Sequence, residues 1–126
     1  MPRQAVRPAA AAAPAVVTKA VVRAAERLDV SNRVLAAVLG VSEATVSRMG
    51  AGSYELVAAS KPFELAVLFI RLFRSLDAIT GGDSAVARAW LRNDNTVLGA
   101  TPISLVTSVS GLVNVVGYLD ARRAVA

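Results

Sequence analysis

Between Pro62 and Ile79 the large apolar side chains Leu65, Leu68, Phe69, Leu72, Phe73, Leu76 and Ile79 recur at three- and four-residue spacing. Only an α-helix turns that spacing into one face, and so broad an apolar face needs other helices to lie against it. Nowhere does the chain alternate apolar and polar residues over a useful length with the period of a strand. The expected class is all-α.

Start and stop residues divide the remainder into shorter helices. Pro14 opens a first helix to about Leu28, with Val17, Val21, Ala24 or Ala25, and Leu28 as its inner stripe. Ser31 suits the N-cap of a second helix through Leu39, which Gly40 closes. Ser42 caps a third, from Glu43 to about Met49, with Gly50 and Gly52 behind it as stops. Residues 53–60 form a connector with room for one further helical turn. Gly81-Gly82 ends the long helix, and Asp83 caps a helix carrying Val86, Ala89, Trp90 and Asn93 on one side. Trp90 reads first as a core residue and second as an interface anchor. A turn with Asn93, Asn95 and Gly99 follows, the two asparagines as ordinary turn residues. Thr101-Pro102, an N-cap with proline at the first helical position, then starts a last helix expected to run from Pro102 to about Arg122. Along it Leu105, Val109, Leu112, Val116 and Leu119 form an apolar stripe. Ser104, Thr107 or Ser108, Gly111, Asn114 and Tyr118 form a second stripe of small or weakly polar residues. Such a helix suits close packing on two sides, one being the core and the other a partner.

Composition narrows the function. The 126 residues contain neither His nor Cys, which removes the commonest general base, the commonest metal ligand, disulfides and thiolate sites. Asp77, Asp83, Asp94 and Asp120 read as helix-end or surface positions with no visible pairing, so the chain is expected to be no enzyme and to carry no cofactor. Its apolar share is largely Ala and Val, which favours close helix approach and extra burial by oligomerisation. The net charge of +5 is uneven: residues 1–61 hold eight Lys or Arg against four Asp or Glu, and residues 62–126 six against five. An excess on the front half favours a polyanion such as DNA. Residues 1–14, Ala/Pro-rich with Arg3 and Arg7, read as a flexible basic tail and are too interrupted for a signal peptide. The uncharged stretch from Asn95 to Leu119 is too polar for a lone lipid-exposed helix, so no membrane partner is expected and the location is read as cytoplasmic.

The segment from Leu35 to Met49 has the pattern of a helix-turn-helix. Ala36 lets two helices cross closely, and Gly40 sits where the turn needs a left-handed residue. Leu35, Leu39, Val41, Val46 and Met49 supply the contacts that fix the crossing, and Ser42 caps the recognition helix. Ser42, Glu43, Thr45, Ser47 and Arg48 are the candidate DNA-binding residues; Thr45, Ser47 and Arg48 can donate to bases or phosphates. Ala44 and Glu43 are poor phosphate binders, and a helix-turn-helix used only as scaffold or dimer surface is the competing reading. The segment resembles the phage-repressor-like (Xre) class.

The run Ala87-Arg88-Ala89-Trp90-Leu91-Arg92-Asn93-Asp94-Asn95-Thr96-Val97-Leu98-Gly99-Ala100-Thr101-Pro102-Ile103-Ser104-Leu105 resembles the toxin-binding domain of Xre/MbcA/ParS-type antitoxins, in which it follows an Xre-like helix-turn-helix in the same order. The two resemblances together cover roughly residues 30–126. They imply an antitoxin that neutralises a RES-domain, NAD-consuming toxin by placing its C-terminal end at the NAD pocket, and that represses its own operon. Asn93, Leu98, Gly99, Thr101 and Pro102 match the family turn, Tyr118, Arg122 and Arg123 fall in the terminal segment, and Asn114 comes from the small-polar stripe. Ala100 stands where a second glycine is common, and Ala124-Val125-Ala126 replaces a tail often containing glycine.

The expected organisation is a tail over 1–14, an Xre-like helix-turn-helix domain over 15–61 and a helical toxin-binding domain over 62–126. Expected partners are the cognate RES-domain toxin, operator DNA, further copies of the chain, and the toxin again in hetero-oligomers. The alternative is a stand-alone Xre-family transcriptional regulator whose C-terminal half only oligomerises.

Overall fold

The computed structural model describes residues 13–125; the expected tail lies outside them except for Ala13 and Pro14. Among the described residues there are seven helices: α1 Pro14–Arg27, α2 Asn32–Leu39, α3 Glu43–Ala51, α4 Lys61–Ile79, α5 Ser84–Arg92, α6 Pro102–Leu105 and α7 Val109–Val125. No strand is present among these residues, only an isolated antiparallel bridge between Asn95 and Ala100.

The caps act as their residue types dictate. The hydroxyls of Ser31, Ser42 and Ser60 accept from the amides of Val34, Thr45 and Phe63, and Asp83 accepts from Ala85 and Val86. Each such bond satisfies a donor that the helix itself leaves open, worth about 1 kcal/mol. Gly40 closes α2 at φ 72° and Gly52 closes α3 at φ 80°. Gly50, expected as a stop, instead lies inside α3, since only the left-handed position needs glycine. The connector 53–60 adds no helical turn.

The largest departure is at the C-terminal end. The single helix expected from Pro102 to Arg122 is two: α6 stops at Leu105, and α7 starts at Val109. The hydroxyls of Ser104, Thr107 and Ser108 donate to the carbonyls of Thr101, Ser104 and Leu105, which offers the backbone an alternative to continuing the helix. Ser108 Oγ then accepts from the Gly111 amide at 3.1 Å and restarts the helix. The fold-back brings Gly111 so close to α6 that a Cβ there would lie 1.9 Å from the Leu105 carbonyl oxygen. Because the register changes at the break, Val109 is turned outward, and Val115 joins Leu112, Val116 and Leu119 in the core. Thr101 keeps the N-cap position of α6 without a side-chain capping bond, while Pro102 occupies the first turn and is buried.

α4 is the central element, with α1 against one flank and α7 against another. Phe69, Leu72 and Leu76 are fully buried there, and one continuous apolar core runs from Val17 in α1 to Leu119 in α7. Phe73 and Leu68 are half-buried, and Ile79 reaches the surface. Among the described residues two polar side chains are buried, and both are satisfied. Thr18 Oγ1 donates to the Pro14 carbonyl at 2.7 Å and accepts from the Leu56 amide at 3.0 Å, tying the connector to α1. Ser75 Oγ donates to Asp120 at 2.8 Å across the α4–α7 contact. No single helix among the described residues is long and apolar enough to cross a membrane.

Candidate functional site

α2 and α3 meet at 108°, within the range of helix-turn-helix units. Ala36, Val46 and Met49 are buried at this junction, which leaves Glu43, Ala44, Ser47 and Arg48 exposed and Thr45 half-buried. The Thr45 side chain is already engaged. Its Oγ1 lies 2.9 Å from Ser42 Oγ and accepts from Arg48 Nη2 at 3.3 Å, so Ser42, Thr45 and Arg48 form one chain along the helix. Ser47 and the rest of the Arg48 guanidinium are therefore the donors most open to a ligand. Residues 31–52 carry Arg33 and Arg48 against Glu43, so the motif's own attraction for phosphate is modest.

Behind α5 the chain turns tightly. Asn95 organises this turn: its Oδ1 accepts from the amides of Val97 at 3.1 Å and Leu98 at 3.0 Å, and its carbonyl accepts from Gly99 at 2.8 Å. Gly99 adopts φ 86°, which disfavours a side chain. Leu98 is half-buried against the core, Thr101 is half-buried, and Pro102 is buried. Leu98, Gly99, Thr101 and Pro102 shape the turn together with Asn95, whereas Asn93 ends α5 with its side chain exposed.

The side of α5 bearing Val86, Ala89, Trp90 and Asn93 faces outward, with Trp90 half-buried. The competing four-residue pair Ala87 and Leu91 faces the core. Trp90 stacks on Tyr118 of α7, with ring centroids 6.1 Å apart and planes 21° from parallel. Arg122 lies over the other ring, its guanidinium carbon 5.6 Å from the Tyr118 centroid, and donates to the Tyr118 hydroxyl at 2.9 Å. Trp90, Tyr118 and Arg122 thus form a ladder across α5 and α7, and Asn114 is exposed one turn before Tyr118. Trp90 was the site residue that periodicity hid, because both spacings on α5 offered a plausible inner face. Arg123 is not part of the ladder. It donates to Ser75 Oγ at 3.3 Å, beside an Arg71–Asp120 ion pair of 2.6 Å.

The C-terminal end of α1 and α5 are held to each other by arginines. Arg88 Nε donates to the Arg27 carbonyl at 2.9 Å, and Arg92 donates to the carbonyls of Leu28 at 3.2 Å and Asp29 at 2.7 Å. Two guanidiniums thereby occupy the C-terminal end of α1, where carbonyls are open and the dipole favours cations. Arg27 completes the junction with a bond to Ser84 Oγ at 3.2 Å, a 4.0 Å contact with Asp77 and a cation–π contact on Phe73.

Comparison with known proteins agrees with this geometry. Residues 6–71 match the antitoxin Xre-like helix-turn-helix domain, and residues 75–124 match the antitoxin Xre/MbcA/ParS C-terminal toxin-binding domain. No curated protein matches the chain. With one match over more than half of its length and a second over the α5–α7 segment that carries the ladder, the chain belongs to the Xre/MbcA/ParS-type antitoxins.

Proposed function

We propose that this antitoxin neutralises a RES-type, NAD-consuming toxin by laying the C-terminal part of α7 over the toxin's NAD pocket. The proposal extends to α3, which reads operator DNA so that the same chain represses its own operon. In this division of labour residues 15–61 serve DNA and residues 62–126 serve the toxin. The observation that carries the reading is the Trp90–Tyr118–Arg122 ladder. Trp, Tyr and Arg are the side chains that most often dominate binding energy at interfaces, and here they share one surface of the domain that matches a toxin-binding family. Arg122 is exposed in the last turn of α7, positioned for an anionic pocket. The turn residues Asn93, Leu98, Gly99, Thr101 and Pro102 set the approach, Asn114 borders the contact, and Arg123 stiffens the end of α7 against α4. The antitoxin works in the cytoplasm, without a cofactor, as a homo-oligomer and in complex with toxin. DNA reading by Ser42, Glu43, Thr45, Ser47 and Arg48 places two copies on two half-sites.

Co-expression with the adjacent reading frame tests the neutralising role, scored by growth and co-purification. The full chain restores growth and co-purifies, whereas a truncation ending at Leu119 and the substitution Arg122→Ala both lose neutralisation. A neighbour that is harmless alone and does not co-purify overturns the reading.

A further inference from the structure

We propose that the groove between α1 and α4 docks an acidic amphipathic helix of a partner protein, at a surface distinct from the ladder and from α3. Two adjoining cavities of about 400 and 440 Å³ share Ala20, Ile70 and Arg74, which makes them one continuous trough. Its floor is apolar. Val16 and Val67 stand 62% and 44% exposed at one end, too open for core residues and left without cover among the described residues. Its walls are cationic: Arg23 and Arg27 line it from α1, Arg71 and Arg74 from α4, and Arg123 from the end of α7. Against these five guanidiniums stand three carboxylates, Glu26 in the lining and the partners Asp77 of Arg27 and Asp120 of Arg71. Arg23 and Arg74 have no carboxylate partner among the described residues.

Charge and shape select the occupant. A second copy would bring the same cationic face against this one, which disfavours a self-complementary pairing. A duplex would meet the arginines but leave the apolar floor uncovered. A helix with apolar residues at i, i+3, i+4 and i+7 and carboxylates along its flanks satisfies both. From Val16 to Arg27 the wall is roughly 16 Å long at the α-helical rise, space for about three turns of such a helix.

The test uses the full chain and a fluorescein-labelled 18-residue peptide with Leu at helical spacing and Glu on the flanks, followed by anisotropy. A scrambled peptide of identical composition and a 20-base-pair duplex serve as comparators. The stripe peptide binds, the scrambled one binds about tenfold more weakly, and Arg74→Glu and Val67→Asp each weaken binding by about tenfold. Both positions are exposed, and unchanged melting of the variants separates lost docking from lost fold. Arg23→Glu, on the opposite wall, gives the same loss. Equal affinity for the two peptides, or none, overturns the proposal. So does a duplex that displaces the peptide and loses its own binding in Arg74→Glu, or a dimer in sedimentation that Val67→Asp dissociates.

Discussion

The recognition helix and the α5–α7 face are built on different principles. At α3 every determinant is local: a serine cap, a left-handed glycine on each side, and a polar chain of Ser42, Thr45 and Arg48 within seven residues. At the α5–α7 face the determinants come from far apart in sequence. Trp90 meets Tyr118 only because α6 and α7 fold back through the close approach at Gly111. A locally determined surface tolerates change elsewhere. A surface assembled by packing depends on contacts that carry no binding atoms at all.

That contrast is open to direct attack. The largest effect is expected from Gly111→Ala, whose methyl group has no room beside the Leu105 carbonyl. Stability in urea should fall by about 3 kcal/mol, the upper range for overpacking, and a loss under 1 kcal/mol would mean the α6–α7 junction is not fixed by close approach. Next, Tyr118→Ala removes the middle rung of the ladder. Calorimetry against the toxin should show affinity lower by roughly 30-fold or more, about 2 kcal/mol, with DNA binding unchanged. Ser42→Ala should cost about 1 kcal/mol by loss of the α3 cap and should weaken DNA binding while sparing the toxin. Weakened toxin binding in that variant would erase the distinction between the two surfaces. The smallest effect has the opposite sign. Gly117→Ala, in the same helix as Gly111 but with nothing within 4 Å of the added Cβ, should raise stability by roughly 0.5–1 kcal/mol in thermal melts.

The same distinction explains what could be read from residues alone. Ser31, Gly40, Ser42, Asp83 and the α4 stripe act through their own neighbourhoods, so helices α1 to α5 and the helix-turn-helix were legible. Gly50 misled because a glycine inside a short helix looks like one that ends it. The break after Leu105 was hidden because Ser104, Thr107 and Ser108 are individually compatible with a helix. Only their joint bonding to carbonyls, together with the tight fit at Gly111, interrupts it. Which side of α5 faces in depends on where α4 and α6 lie against it, and so Ala87 and Leu91 could not be told from Val86 and Ala89 as the inner pair. Asn95, read as an ordinary turn former, holds its turn with four hydrogen bonds, the fourth from its own amide to the Ala100 carbonyl.

Arg88 and Arg92, seated on the carbonyls of Arg27, Leu28 and Asp29, bear on how the two halves can be recombined. A chimaera that joins this helix-turn-helix to another antitoxin's back half inherits bare carbonyls at the end of α1 unless the donor supplies arginines in register. Swapping specificities between such proteins is therefore a matter of transplanting a joint as well as two modules, and the joint's parts lie some sixty residues apart in the chain.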